Sequence, residues 1–194
     1  VRRGTLGIDS QDVDARIAKG LGLAETRGAV VTRVYPGSAA ADAGLRVGDV
    51  ILSANGQAIA NAEALRNFQG LQAPNARVVL DVRRDGKPLQ VTTGLHEAPK
   101  ALAGTQLDPR LAGASFAELP ESLRRQGLSG VLVESVARGS RAAQSGLRGG
   151  DVVLASSGGE FSDLTGFRAA LQETPEQLVL RVLRGGRSGT LLMR

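Results

Sequence analysis

One stretch of 25 residues occurs twice in this chain. It reads GAVVTRVYPGSAAADAGLRVGDVIL from Gly28 to Leu52 and GVLVESVARGSRAAQSGLRGGDVVL from Gly130 to Leu154, gap-free and identical at about half of the positions. Sequence periods of about 20–50 residues mark solenoids. Here the offset, from Gly28 to Gly130, is close to the length of a small domain, and 194 residues leave room for two of them. Two tandem domains are therefore expected.

Within the first copy each residue has a local structural role. Val30, Val31 and Val34 are β-branched and make a short apolar strand, which Pro36-Gly37 ends. Ser38 is placed to cap a short helix over Ala39 to Ala43, and Gly44 to close it in the left-handed region. Leu45 returns to the core. Gly48-Asp49 forms a tight turn in which Asp49 bonds backbone amides, and Val50-Ile51-Leu52 opens the next strand. An Asp with no His near it in sequence is a poor catalytic acid, so the stretch specifies a fold and not an active site.

This signature, strand–PGSAAxxAGL–xxGDVIL–xxNG, strongly resembles the PDZ domain. The whole chain resembles the tandem PDZ region of bacterial HtrA-type serine proteases, the DegP/DegQ (Do-type) family, most sharply in Arg2-Arg3-Gly4-Thr5-Leu6-Gly7-Ile8. The resemblance implies a mainly β fold with short helices (α+β): two PDZ domains, each a small, partly open β-barrel or sandwich with two to three helices. The boundaries expected are 1–95 for the first domain, 96–106 for a flexible linker (HEAPKALAGTQ), and 107–194 for the second.

PDZ domains hold a peptide's C-terminal carboxylate in an apolar-Gly-apolar loop, and Thr5-Leu6-Gly7-Ile8 fits that loop by resemblance. Successive backbone N–H groups in a turn make an anion-binding concavity. A Cβ in its middle would crowd the anion, hence Gly7. Arg3 is placed to add a charge-assisted bond. Asp9 and Ser10 open the strand over 9–13 that an extended peptide would join by β-augmentation. Asn61 caps a helix from Ala62 to about Gly70, with Leu65 and Phe68 toward the core; Ala62, Arg66 and Gln69 are candidates for the second wall of the groove. In the second domain Leu111-Ala112-Gly113-Ala114 stands where this loop should be. Ala112 and Ala114 replace Leu6 and Ile8, which weighs against peptide binding there.

Several function classes are disfavoured. Only 3% of residues are aromatic, and the arginines behind the net charge of +5 are scattered, so no basic stripe with stacking partners marks a nucleic-acid site. There is no Cys, hence no disulfide framework or thiolate metal site, and no metal or cofactor motif. No apolar run is long enough to span a membrane. The one histidine, His96, falls in the linker without the neighbours of a catalytic triad, so no catalytic residue is assigned and this chain is not expected to be an enzyme.

By resemblance the parent protein is a periplasmic serine endopeptidase of envelope protein quality control. The first domain would bind C-terminal or unfolded polypeptide segments. The second would support assembly with protease and PDZ domains of the parent oligomer. The alternatives are the PDZ pair of a membrane metalloprotease, a purely structural assembly module, and an independent adaptor.

Overall fold

In the first copy of the repeat the apolar residues form an antiparallel pair of strands, and the rest of its unit is built on that pair. In chain order the unit comprises β1 (Arg3–Thr5), β2 (Ile8–Asp12), α1 (Ala15–Gly20), β3 (Ala29–Val34), α2 (Ala39–Ala43), β4 (Val50–Ala54), β5 (Gln57–Ala58), α3 (Ala62–Gly70), β6 (Arg77–Arg84), β7 (Lys87–Gly94) and β8 (His96–Ala98). The main sheet has the order β2-β3-β4-β6-β7, with β5 added to β4; β1 and β8 form a separate pair. This is a computed structural model, which describes residues 3–172 and 176–194.

Alternation sets which face is buried. Val78, Leu80 and Val82 of β6 point inward and meet Ile51, Val31, Leu65 and Phe68 in one core. A smaller cluster of Val13, Ala18, Val30 and Val50 lies beneath α1. The caps expected at Ser38 and Asn61 are in place, each accepting a backbone N–H at the start of α2 and α3, and Asp14 caps α1 in the same way.

The second unit has β9 (Ala101–Ala103), β10 (Ala114–Glu118), α4 (Glu121–Arg124), β11 (Val131–Val136), α5 (Arg141–Gln144), β12 (Val152–Ser156), β13 (Gly159–Glu160), α6 (Leu164–Leu171), β14 (Leu178–Arg184) and β15 (Arg187–Met193). Its sheet order is β15-β14-β12-β11-β10-β9, with β13 on β12. Phe116 packs on Phe167 and Phe167 on Phe161, both pairs with centroids 4.8 Å apart. Neither sheet closes into a barrel.

The second half of the repeat carries the same staple in both units. Buried Asp49 accepts from Arg46 N at 2.9 Å and from Arg84 Nε and Nη2 at 2.9 and 2.8 Å, while Arg84 also donates to Gly44 O. Asp151 is held in the same way by Arg148 N and Arg184, and Arg184 donates to Gly146 O. The backbone bond was legible in the turn. The arginine was not, because it arrives from a strand 35 residues away.

The chain divides into compact units between Ala98 and Pro99. The stretch expected as a flexible linker, 96–106, is built into them instead. His96–Ala98 pairs antiparallel with Arg3–Thr5, Ala101–Ala103 pairs with β10, and 104–106 is a 3-10 turn. Three-residue strands have no periodicity of their own; their partners are set by distant backbone groups that need hydrogen bonds. Glu118 ends β10, and Pro120 stands directly before α4, which starts at Glu121.

Candidate functional site

The candidate site of the first unit lies where β2, α3 and the Thr5–Ile8 loop converge. β2 pairs with β3 on one side, from Ile8 opposite Val34 to Asp12 opposite Ala29, with a bulge between Asp9 and Ser10. On its other side no strand pairs with it among the described residues. α3 runs beside that open edge and is tied to the β1–β2 segment at both ends. At its start Ala62 N donates to Asp12 Oδ1 at 2.9 Å, and at its finish Gln69 Oε1 accepts from Leu6 N at 2.8 Å.

The loop is fixed from behind. Leu6 and Ile8 are buried in the core, Leu6 O accepts from Ala40 N at 3.0 Å, and Gly7 O accepts from Tyr35 N at 3.1 Å. Gly7 has φ +77°, and a Cβ there would run into the Cβ of Ser38, the residue that caps α2. Glycine is thus required by its backbone conformation and by Ser38 behind it. The expectation that a Cβ would crowd a bound anion gave a different reason for the same residue.

The loop's donors are occupied by side chains of the unit itself. Leu6 N bonds Gln69, and Gly7 N donates to Thr5 Oγ1 at 3.2 Å. Both acceptors sit on rotatable side chains, so an incoming oxygen can replace either of them without breaking the main-chain bonds behind the loop.

The remaining candidates fall into separate groups. Arg3 is exposed on β1, and its guanidinium lies beside Gly70 in the last turn of α3, 3.9 Å from where a Cβ of that glycine would stand. That is the negative end of the helix dipole. Asp9 accepts from Tyr35 Oη at 2.8 Å, which holds its carboxylate toward β3; Ser10 is half-buried. Ala62 is buried in the core and offers only its backbone, whereas Arg66 and Gln69 are half-buried on the stripe next to Leu65 and Phe68. The sequence reading missed Asp12, whose partner is 50 residues away, and the acceptor role of Thr5 toward Gly7 N.

In the second unit the equivalent loop has the same rear attachment. Ala112 O accepts from Ala142 N, Gly113 O accepts from Ala137 N, and Gly113 has φ +95° with Ser140 where its Cβ would go. Leu111 is fully buried and Ala114 is in the core. The neighbouring buried Asp108 accepts from Arg110 N, Nε and Nη2, and this guanidinium holds the Asp108 carboxyl below its ordinary value. At the far end of β10, Glu118 Oε1 accepts from Leu164 N at 2.8 Å, as Asp12 does from Ala62 N. Crowding by surrounding protein, then repulsion by Asp163, pushes the Glu118 carboxyl up to about 7, although the residue keeps exposed surface.

His96 is half-exposed, with Nε2 3.6 Å from Asp42 Oδ2. Among the described residues no group of three or more His, Asp or Glu is placed to hold a metal ion, and no helix is long and apolar enough to cross a membrane.

Comparison with known proteins agrees with this architecture. Residues 4–95 match the PDZ domain family. Over its full length the chain is 35% identical to the periplasmic pH-dependent serine endoprotease DegQ of Escherichia coli K12, covering 42% of that protein. It is 34% identical, again over its full length, to the periplasmic serine endoprotease DegP of the same organism, covering 40% of it. The chain thus spans about two fifths of the length of these relatives. Among solved structures, HtrA-type protease AlgW with decapeptide is 33% identical over 51% of this chain and 30% of that one, with a TM-score of 0.47. Residues 4–95 match a PDZ domain, the two units fit tandem PDZ domains, and the chain is similar along its entire length to part of the DegP and DegQ endoproteases.

Proposed function

We propose that the first unit captures the C-terminal end of an extended polypeptide. The peptide adds as an antiparallel strand to the outer edge of β2, its side chains lie against α3, and its carboxylate enters the Thr5–Ile8 loop. The observation that carries this reading is the unpaired edge of β2, which lies beside α3 and has the loop at its start. Main-chain bonds along β2 supply affinity, and the half-buried residues Ser10 and Arg66 select side chains. A carboxylate makes stronger bonds to backbone N–H than a neutral carboxamide does. It therefore replaces Gln69 Oε1 at Leu6 N and Thr5 Oγ1 at Gly7 N.

In the parent protein this capture delivers substrate to a serine endopeptidase domain in the periplasm, while the second unit supports assembly with neighbouring protease and PDZ domains. Compartment and endopeptidase activity are carried over from the DegP and DegQ relatives. On this reading hydrolysis belongs to a part of the parent protein outside this chain, which the half-exposed position of the one histidine beside Asp42 supports.

The test is a fluorescence-anisotropy titration with a labelled peptide ending in an apolar residue, compared with the same peptide carrying a C-terminal amide. Backbone amide shifts are followed by NMR in parallel. Tighter binding of the acid, with shifts confined to residues 5–12 and 62–70, is expected. Equal affinity of acid and amide, or shifts elsewhere, would remove the carboxylate loop from the function.

A further inference from the structure

In the second unit the edge that corresponds to the open side of β2 is covered. β10 pairs with β11 on one side and with β9 on the other: Ala103 stands opposite Ser115, Leu102 opposite Phe116, and Ala101 opposite Ala117. β9 is antiparallel to β10, so its C-terminal end lies at the Leu111–Ala114 loop. That is the direction and the place an added peptide strand would take. Leu102 is only 6% exposed, and residues directly opposite in an antiparallel pair share a face. Its side chain therefore falls on the side of Phe116, which packs edge-on against Phe167 of α6.

The site around β9 is also not the one found in the first unit. By strand register, Phe116 opposite Val133 stands where Ser10 opposite Val31 does, and by the offset of the repeat Phe167 stands where Leu65 does and buried Leu171 where Gln69 does. The amide that corresponds to Leu6 N, Ala112 N, is consumed by Pro109 O of its own 3-10 turn. The polar features that suit a carboxylate are replaced by apolar ones. The chain in β9 does not end at the loop. It turns away at buried Gly104, where a Cβ would strike Leu111 O, and the Gly104 carbonyl takes the N–H groups of both Leu107 and Asp108.

We propose that residues 101–103 are a built-in ligand of the second unit: an internal segment of this chain, apolar at Leu102 and small on either side, that fills the strand-addition site between β10 and α6. The second unit therefore recognises an internal extended segment rather than a free C-terminus, and binds no added peptide until β9 is displaced.

The test uses the whole chain. Leu102→Asp places a charge in the apolar site, and hydrogen exchange is read by mass spectrometry over 101–103 and 114–118. Residues 8–12 and 131–136 serve as references for the first unit and for the rest of the second. Exchange over 101–103 and 114–118 should rise at least tenfold, with the references unchanged. An excess of a peptide with the sequence of residues 98–104, blocked at both ends, should restore protection over 114–118 in the variant and do nothing to the wild type. Unchanged exchange over 114–118, or a failure of the peptide to restore it, overturns the proposal.

If Leu102→Asp unfolds the unit, shown by loss at 131–136, the milder Leu102→Ala is read in the same way. A second variant is then decisive. Ala103→Cys with Ser115→Cys, in a chain that has no other cysteine, should close a disulfide on mild oxidation; two free thiols in the folded protein would refute the pairing. Because the readout is on β10, the result is independent of whether the first unit binds C-termini.

Discussion

Gln69 holds the position that the proposed ligand needs, so its removal should act in opposite directions on stability and on binding. Gln69→Met keeps a side chain of similar length and deletes the acceptor. The bond lost is a neutral one, Leu6 N to Gln69 Oε1 at 2.8 Å between partly buried groups. Such a bond contributes about 0.5–1.5 kcal/mol net. The first unit should therefore lose about 1 kcal/mol, which lowers its melting temperature by about 4–8 °C for a domain of this size. A peptide carboxylate no longer has to displace the carboxamide, so the same free energy returns on binding. At 1.4 kcal/mol per decade, the free-acid peptide should bind about fivefold more tightly. The amidated peptide, which has no claim on Leu6 N, should change by less than about twofold. Anisotropy titration gives both affinities and calorimetry gives the melting temperature. If the acid weakens in Gln69→Met, or if acid and amide change together, Gln69 is a ligand contact and not a competitor, and the route of the carboxylate into the loop is wrong.

Three further outcomes follow from the same geometry. Arg84→Leu strands the buried Asp49 carboxylate with one backbone partner, Arg46 N; it should cost the first unit about 3–5 kcal/mol in urea unfolding, with Arg184→Leu doing the same to the second. Gly7→Val forces a β-branched residue to φ +77° against Ser38, so it should lower the melting temperature of the first unit and abolish acid-peptide binding while exchange protection over 131–136 is unchanged. Glu118, pushed up to about 7 from 4.5, binds its proton more tightly in the folded unit than in the unfolded chain. The stability this gives is complete below about 4.5 and is lost as pH rises through about 7. The urea midpoint of the second unit should fall across that window, gently because the side chain meets solvent, and Glu118→Gln should flatten the curve.

The repeat made the core of each unit readable because its information is local: β-branched runs, a Ser cap, a closing glycine, a Gly-Asp turn. Ser38 and Asn61 cap as their positions imply, and Asn55 and Asp85 take positive φ in their turns. What sequence did not reveal depends on distant partners. Arg84 reaches Asp49 across the sheet, Asp12 reaches the start of α3, and three-residue strands at 96–98 and 101–103 exist only because β1 and β10 have hydrogen-bonding edges to offer. For the site, the loop and the Gln69 stripe were legible, whereas the internal bonds that occupy the loop's amides were not. A composition of Ala, Pro and Gly reads as a linker until a strand edge is found for it.

The paired staples have a consequence for folding fidelity. Tandem repeats of similar sequence are prone to misassembly between copies. The Asp–Arg chemistry offers no protection against this, because Asp49 would accept Arg184 as readily as Arg84. Discrimination falls to the three rings of the second unit: Phe116, Phe161 and Phe167 occupy positions that hold Ser10, Ile59 and Leu65 in the first. A crossed pairing would press a ring into space shaped for a smaller side chain, or leave a void where a ring belongs, at about 1–3 kcal/mol for each overpacked site. The few aromatic side chains in this chain therefore act as a key that tells one copy from the other while both are still folding.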